Sequence, residues 1–194
     1  MWITVIGSLG FLLYFAYDIN SITKNNRLLQ KGFFVGTVLV ALVTVGIFTE
    51  NRSVSDFNPI RVVGFGAAGL LMFALLVYTL FFALPFEATY LEDNRKRLAY
   101  TQGVYALCRH PGVLWYAGMY LCIAGVLWTK EALLEGLFLT AWNIAYIVLQ
   151  DFWIFPATFE NYDEYKKTTP FLIPNRQSIR KGLETLPLGK GERK

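Results

Sequence analysis

Charge is scarce in this chain. Only 16% of its 194 residues are Asp, Glu, Lys or Arg, against about 25% in ordinary soluble domains. Together with 55% hydrophobic residues, that shortage excludes a soluble domain built around one core. Histidine occurs once, as His110, and cysteine twice, as Cys108 and Cys122. Two cysteines and one histidine give no metal-ligand spacing, and no disulfide framework is expected. The net charge of +4 is modest, and no nucleic-acid partner is expected. The first apolar run, Met1 to Tyr17, lacks a basic start and a small-residue cleavage pattern, so it does not read as a cleaved signal. No transporter-like internal repeat is present.

What the chain does have is long uncharged runs. They cover Met1 to Tyr17, Gly32 to Thr49, Val62 to Phe86 and Pro111 to Thr129. A fifth, Gly136 to Phe155, is interrupted only by Asp151. A helix crosses the hydrocarbon with roughly 20 apolar residues, about 17 to 25 being tolerated. Helices are expected because every backbone polar group must be satisfied within the segment. The alternation of barrel strands is missing. The expected fold is an all-α integral membrane protein of about five spans.

Loop charges give a direction. Fifteen Lys and Arg residues fall after span one, between spans three and four, and in the C-terminal tail. Only Arg52, Arg61 and Lys130 fall on the opposite side. An excess of Lys and Arg marks the cytoplasmic side. The N-terminus is then expected outside and the C-terminus inside. Residues 1–86 would supply three spans. Residues 87–174 would supply a mixed-charge cytoplasmic loop, a tight hairpin of spans four and five turning at Lys130 to Glu135, and a C-terminal segment. Residues 175–194 read as a polar tail.

Several residues stand out against this background. Arg109 and His110 sit where water meets the fourth span, just before Pro111. Arg109 is either one more cytoplasmic basic residue or part of a site. Pro111 suits a helix start, because its missing N–H is an orphan there anyway. Asp151 lies in an otherwise apolar helix, where a carboxylate needs a partner or a watery cavity. Arg109 is the expected partner, either as a structural ion pair or within a site. Tyr162 and Tyr165 are three apart and share one helix face. Their segment is either an interfacial helix or a lid over a cofactor. Gly64-Phe65-Gly66-Ala67-Ala68-Gly69 spells a dinucleotide loop, but no strand precedes it and no acidic residue follows at the required distance. It reads instead as small residues that let helices approach.

Gly103, Tyr105, Arg109, His110 and Pro111, followed after a hairpin by Glu160, Tyr162, Tyr165, Lys166, Pro170, Ile173 and Pro174, resemble the isoprenylcysteine carboxyl methyltransferase family and its phospholipid N-methyltransferase relatives. The resemblance covers roughly the C-terminal half. The chain departs from the pattern at two places. Val113 stands where a Tyr is common, and Gln150 and Asp151 stand where paired glutamates are usual. The resemblance implies S-adenosylmethionine held by the hairpin ends and the tail, with Tyr105, Arg109, His110, Pro111, Gln150, Glu160, Tyr162 and Tyr165 as cofactor-binding residues. Arg109 and Asp151 would be the catalytic pair.

That implication fits simple chemistry. Methyl transfer from a sulfonium is an in-line displacement in which positioning lowers much of the barrier. The cofactor would come from the cytosol, and a lipid or lipidated acceptor from the membrane. Arg109 would grip a carboxylate of cofactor or substrate through a planar fork. The tyrosines would flank the sulfonium or the adenine. Two other readings compete. A membrane reductase of the sterol reductase type shares the Tyr and Pro ending but uses a nicotinamide and usually has more spans. A non-catalytic membrane scaffold would keep the fold alone. The membrane would be the cytoplasmic one in a bacterium and the endoplasmic reticulum in a eukaryote.

Overall fold

The computed structural model describes residues 2–51, 58–83 and 97–186. The described residues are helical, with no strand among them. Helix α1 runs Trp2–Ile22, α2 Arg27–Gln30, α3 Gly32–Glu50 and α4 Pro59–Phe81. After a short α5, Val104–Leu107, come α6, Pro111–Leu127, and α7, Lys130–Leu149. A π-helical turn, Gln150–Ile154, continues α7 into α8, Phe155–Thr158. Two further helices close the chain, α9 Tyr162–Thr168 and α10 Arg176–Thr185. The loop expected from Glu87 lies outside the described residues as far as residue 96.

Local chemistry sets the ends of these helices. Asn58 caps α4 by accepting from the Arg61 N–H at 3.1 Å, with Pro59 in the first turn. Thr129 caps α7 by accepting from Ala132 N–H at 3.2 Å. Both supply an acceptor to an orphan donor of the first turn. Trp128 ends α6 in the left-handed region at φ 56°. Lys130 to Glu135, expected as the hairpin turn, is therefore the first turn and a half of α7. The turn itself is only Trp128 and Thr129. Thr129 nucleates the helix early, before the uncharged run begins at Gly136.

Four helical stretches are long and apolar enough to cross a membrane: Trp2–Ile22, Arg27–Glu50, Pro59–Phe81 and Lys130–Thr158. Helix α6 is also apolar but has 17 residues. Outward faces carry large apolar side chains such as Leu12, Leu42, Leu70 and Phe73, all exposed. In α4 only Thr79 is buried. So much exposed apolar surface is foreign to a water-soluble monomer.

Inside, Ile3, Phe11, Val43, Ile47, Tyr120 and Leu139 form the core between α1, α3, α6 and α7. Small residues bring α1 and α3 together. A Cβ on Gly36 would lie 2.7 Å from the Gly10 carbonyl oxygen. The Gly64 to Gly69 stretch behaves differently from expectation. A Cβ on Gly64 or Gly66 meets nothing within 4 Å, and only Gly69 faces a neighbour, Cys122 at 3.2 Å. The reason is register: Phe65 and Gly69, four apart, turn to α6, and Gly64 and Gly66 lie to either side of that face.

The bundle has two distinct ends. At one, Asn51 donates to Glu135 at 2.9 Å and accepts from Thr129 at 3.3 Å. At the other, α1, α4 and α7 finish while α3 and α6 begin. Helix α10 is the described part of the expected polar tail. It opens with a reciprocal cap between Asn175 and Ser178 and docks Gly182 against Leu107 and the Gly103 carbonyl.

Candidate functional site

Arg109 reaches the second end of the bundle just before α6. Its backbone N–H donates to the Pro170 carbonyl at 2.9 Å. Its Nη1 donates to the Thr169 carbonyl at 2.7 Å and the Lys166 carbonyl at 3.4 Å. These carbonyls belong to the last turn of α9 and its C-cap, where a cation is favoured by the helix dipole. The other edge of the guanidinium meets Asp151, Nε to Oδ1 at 2.7 Å and Nη2 to Oδ2 at 2.9 Å. The expected Arg109–Asp151 pair therefore exists. The fork expected to grip a ligand's carboxylate grips this one instead, because α7 delivers Asp151 to the same plane.

The π turn delivers it. Pro156 cannot donate a backbone hydrogen bond, and its ring would clash in an unbroken α-ladder. One wider turn before it takes up the mismatch, with Phe155 N–H bonded back to the Gln150 carbonyl. Such bulges re-aim side chains and recur at functional sites. Here consecutive residues turn to different neighbours.

Asp151 is 2% exposed. Besides Arg109 it accepts from the Tyr162 hydroxyl at 2.7 Å and meets His110 Nε2 at 3.2 Å. Three of its four hydrogen bonds fall on Oδ1 and one on Oδ2. An ionised carboxylate only accepts, so His110 carries its proton on Nε2. The imidazole is 6% exposed, stacks on Phe155 at 5.7 Å between centroids and meets Phe171 edge-on at 5.3 Å. Burial pushes His110 below its usual range, with Arg109 acting in the same direction and Asp151 against it. Burial thus favours the neutral imidazole. Burial likewise pushes the Cys108 thiol up to about 11, which leaves no thiolate nucleophile. Burial, then the Asp151 charge, keeps the Tyr162 phenol protonated and donating.

The remaining tyrosines brace the site. Tyr165 donates to the Tyr105 carbonyl at 2.6 Å, and Tyr105 donates to the Thr79 carbonyl at 2.9 Å. This chain of bonds ties α9 to α5 and α5 to α4. Tyr162 and Tyr165 share a buried face of α9, as their spacing implied. Their hydroxyls and that of Tyr105 are spent on the protein, which fixes the three rings in place. Pro111 is buried at the first position of α6. Glu160 is exposed, its N–H bonded to the Arg97 carbonyl at 3.1 Å.

Gln150 is not part of this network. Its amide donates to Asp18 Oδ2 at 2.8 Å. Asp18 is 7% exposed and also bonded to Tyr146. Asp18 lies just past the first uncharged run, Met1 to Tyr17, and has no role in the sequence reading. The available signal was a carboxylate within the last turns of an apolar helix, with Tyr146 and Gln150 at helical spacing on another. An apolar groove lined by Phe65, Leu121, Gly125, Trp128 and Leu133 opens at the opposite end of the bundle, away from Arg109.

No family model, curated protein or solved structure matches the chain.

Proposed function

We propose that the chain is a membrane-embedded S-adenosylmethionine-dependent methyltransferase acting on a lipid or lipid-like carboxylate or amine at the cytoplasmic face. One observation carries the reading. The two separated sequence blocks that bear the resemblance meet in space: Arg109 and His110 of the first are joined to Asp151, and Tyr162 and Tyr165 of the second close over them. In this reading α6 is the fifth span, at the lower length limit of about 17 residues. The basic connections after α1 and before α6 lie at the Arg109 end, which supports a cytoplasmic site with the N-terminus outside.

The residues at this end fit the cofactor's polar part. Thr169 is 2% exposed, and its hydroxyl has no hydrogen-bond partner. A buried hydroxyl so placed, beside Arg109, suits a polar ligand atom. Exposed Glu160 and half-buried Lys166, whose Nζ lies 5.4 Å from the Tyr162 ring centre, offer opposite charges to an ammonium and a carboxylate. When bound, S-adenosylmethionine supplies an electrophilic methyl group on a sulfonium. The protein's part is positioning. Asp151 locks Arg109 and Tyr162, and His110 holds its Nε2 proton on Asp151 and keeps Nδ1 as an acceptor. With no thiolate and no free carboxylate at Asp151, direct transfer to the acceptor is favoured over a covalent enzyme intermediate.

A non-catalytic scaffold is the second reading, favoured by the closure of the Asp151 network upon itself. Calorimetric titration of the purified full chain in nanodiscs tests both. S-adenosylmethionine should bind. Binding of a nicotinamide cofactor instead would indicate a reductase, and binding of neither would indicate a scaffold. Labelling of a tag placed after Lys194 tests the topology: it should react from the cytoplasmic side only.

A further inference from the structure

Asp151 has its counter-charge; Asp18 does not. The Asp18 carboxylate is 7% exposed within the last turns of an apolar helix. Its partners are the neutral Gln150 amide, whose Nε2 donates at 2.8 Å, and the neutral Tyr146 hydroxyl. Among the described residues no Lys, Arg or His forms an ion pair with it. Both donors are neutral, so an ionised Asp18 has no counter-charge beside it, and buried carboxylates in apolar spans pair with cations or mark ligand pathways.

The surroundings suit an organic cation. Tyr14 lies 5.5 Å from Tyr146 and 5.3 Å from Phe33 between ring centres, and Tyr17 lies 5.5 Å from Phe33. Tyr14 and Tyr17 lie on the turns of α1 that lead to Asp18, Phe33 and Tyr146 face them from α3 and α7, and ring faces attract ammonium groups. Just beyond, Lys24, Arg27 and Lys31 are exposed in the connection from α1 to α3. A carboxylate flanked by basic residues matches a zwitterion that carries an ammonium and a phosphate. The π turn adds the link to the first site: Gln150 holds Asp18 while the next residue, Asp151, holds Arg109.

We propose that Asp18 anchors the ammonium group of a ligand, displacing the Gln150 amide, with tyrosine rings around it. This deepens the methyltransferase reading and rests on it for the identity of the site. The same ammonium chemistry is found in an aminophospholipid headgroup and in the amino-acid end of S-adenosylmethionine.

The test uses the full chain purified in dodecyl maltoside. One arm titrates dihexanoyl phosphatidylethanolamine and dihexanoyl phosphatidylglycerol without cofactor. The other titrates S-adenosylmethionine. If the ammonium is the lipid's, wild type prefers the ethanolamine lipid by about tenfold, Asp18→Asn loses the preference and Asp18→Glu keeps part of it. If the ammonium is the cofactor's, Asp18→Asn weakens S-adenosylmethionine binding by about tenfold, and the lipids are not distinguished. Equal lipid affinities in wild type, with cofactor affinity within twofold in Asp18→Asn or no cofactor binding at all, would overturn the proposal. A variant that loses thermal stability but keeps wild-type selectivity would do the same, marking Asp18 as structural. Should Asp18→Asn fail to fold, Tyr146→Phe replaces it, with a smaller loss in the same direction expected and unchanged selectivity counting against the site. Lipid preference without cofactor binding would sink the methyltransferase reading and leave this one standing.

Discussion

Arg109 and Asp151 face each other through two parallel hydrogen bonds, of 2.7 and 2.9 Å. The remaining nitrogen of the guanidinium turns to the carbonyls at the end of α9. One side chain thus fastens α7 and α9 to the start of α6. Lysine keeps the charge but not the planar fork. Arg109→Lys should therefore lower the thermal midpoint in nanodiscs almost as much as Arg109→Ala. Each hydrogen bond to a charged group is worth about 1.5–3 kcal/mol. A wild-type midpoint in the lysine variant would show that only the charge matters.

The same pair should be energetically coupled. Removing one partner of a buried pair leaves a charge uncompensated, at about 3–5 kcal/mol. Asp151→Asn and Arg109→Gln should each be strongly destabilising, and the double variant should lose less than the sum. A double-mutant cycle on unfolding in detergent measures the difference. Additive losses would contradict the geometry.

This pairing was legible in the sequence for a physical reason. Each residue is a lone charge near the end of one arm of a short hairpin, and apolar surroundings leave few partners. The closing tyrosines were legible as a helix face for the same kind of reason, since spacing alone places Tyr162 beside Tyr165. The π turn was not legible. A single wide turn barely alters hydrophobic periodicity, yet it sends Gln150 to Asp18 and Asp151 to Arg109. Nor does composition reveal that the Tyr165 hydroxyl ends on the Tyr105 carbonyl, because that bond joins segments 60 residues apart. The hairpin turn was placed too late because hydropathy marks where charge stops, whereas Thr129 marks where the helix starts.

His110 should make stability depend on pH. Burial, the largest influence, holds its folded-state pKa below the usual value. Between the folded and unfolded values the unfolded chain binds the extra proton, so stability rises with pH in that window. Stability is then full above about pH 6.5 and declines as pH falls below it, with a slope of at most about 1.4 kcal/mol per pH unit. His110→Gln keeps a donor for Asp151 and removes the titration. Thermal midpoints of both proteins across pH 5 to 7 should show a flatter profile for the variant. Parallel profiles would assign the acid sensitivity to other groups.

Helix packing gives the last prediction, because it separates glycines that the sequence makes look alike. A Cβ at Gly36 would sit 2.7 Å from the Gly10 carbonyl oxygen, whereas one at Gly64 or Gly66 would meet nothing within 4 Å. Backbone cannot yield as a side-chain tip does, so Gly36→Ala must push α1 and α3 apart. Overpacking of this kind costs about 1–3 kcal/mol. Gly64→Ala and Gly66→Ala should leave stability within about 1 kcal/mol of wild type, or raise it slightly, since alanine is the better helix former. Unfolding in sodium dodecyl sulfate and dodecyl maltoside mixtures would rank the three. A destabilised Gly64→Ala alongside a tolerated Gly36→Ala would mean that α4, not α3, makes the close backbone approach, and the pairing of helices described above would be wrong.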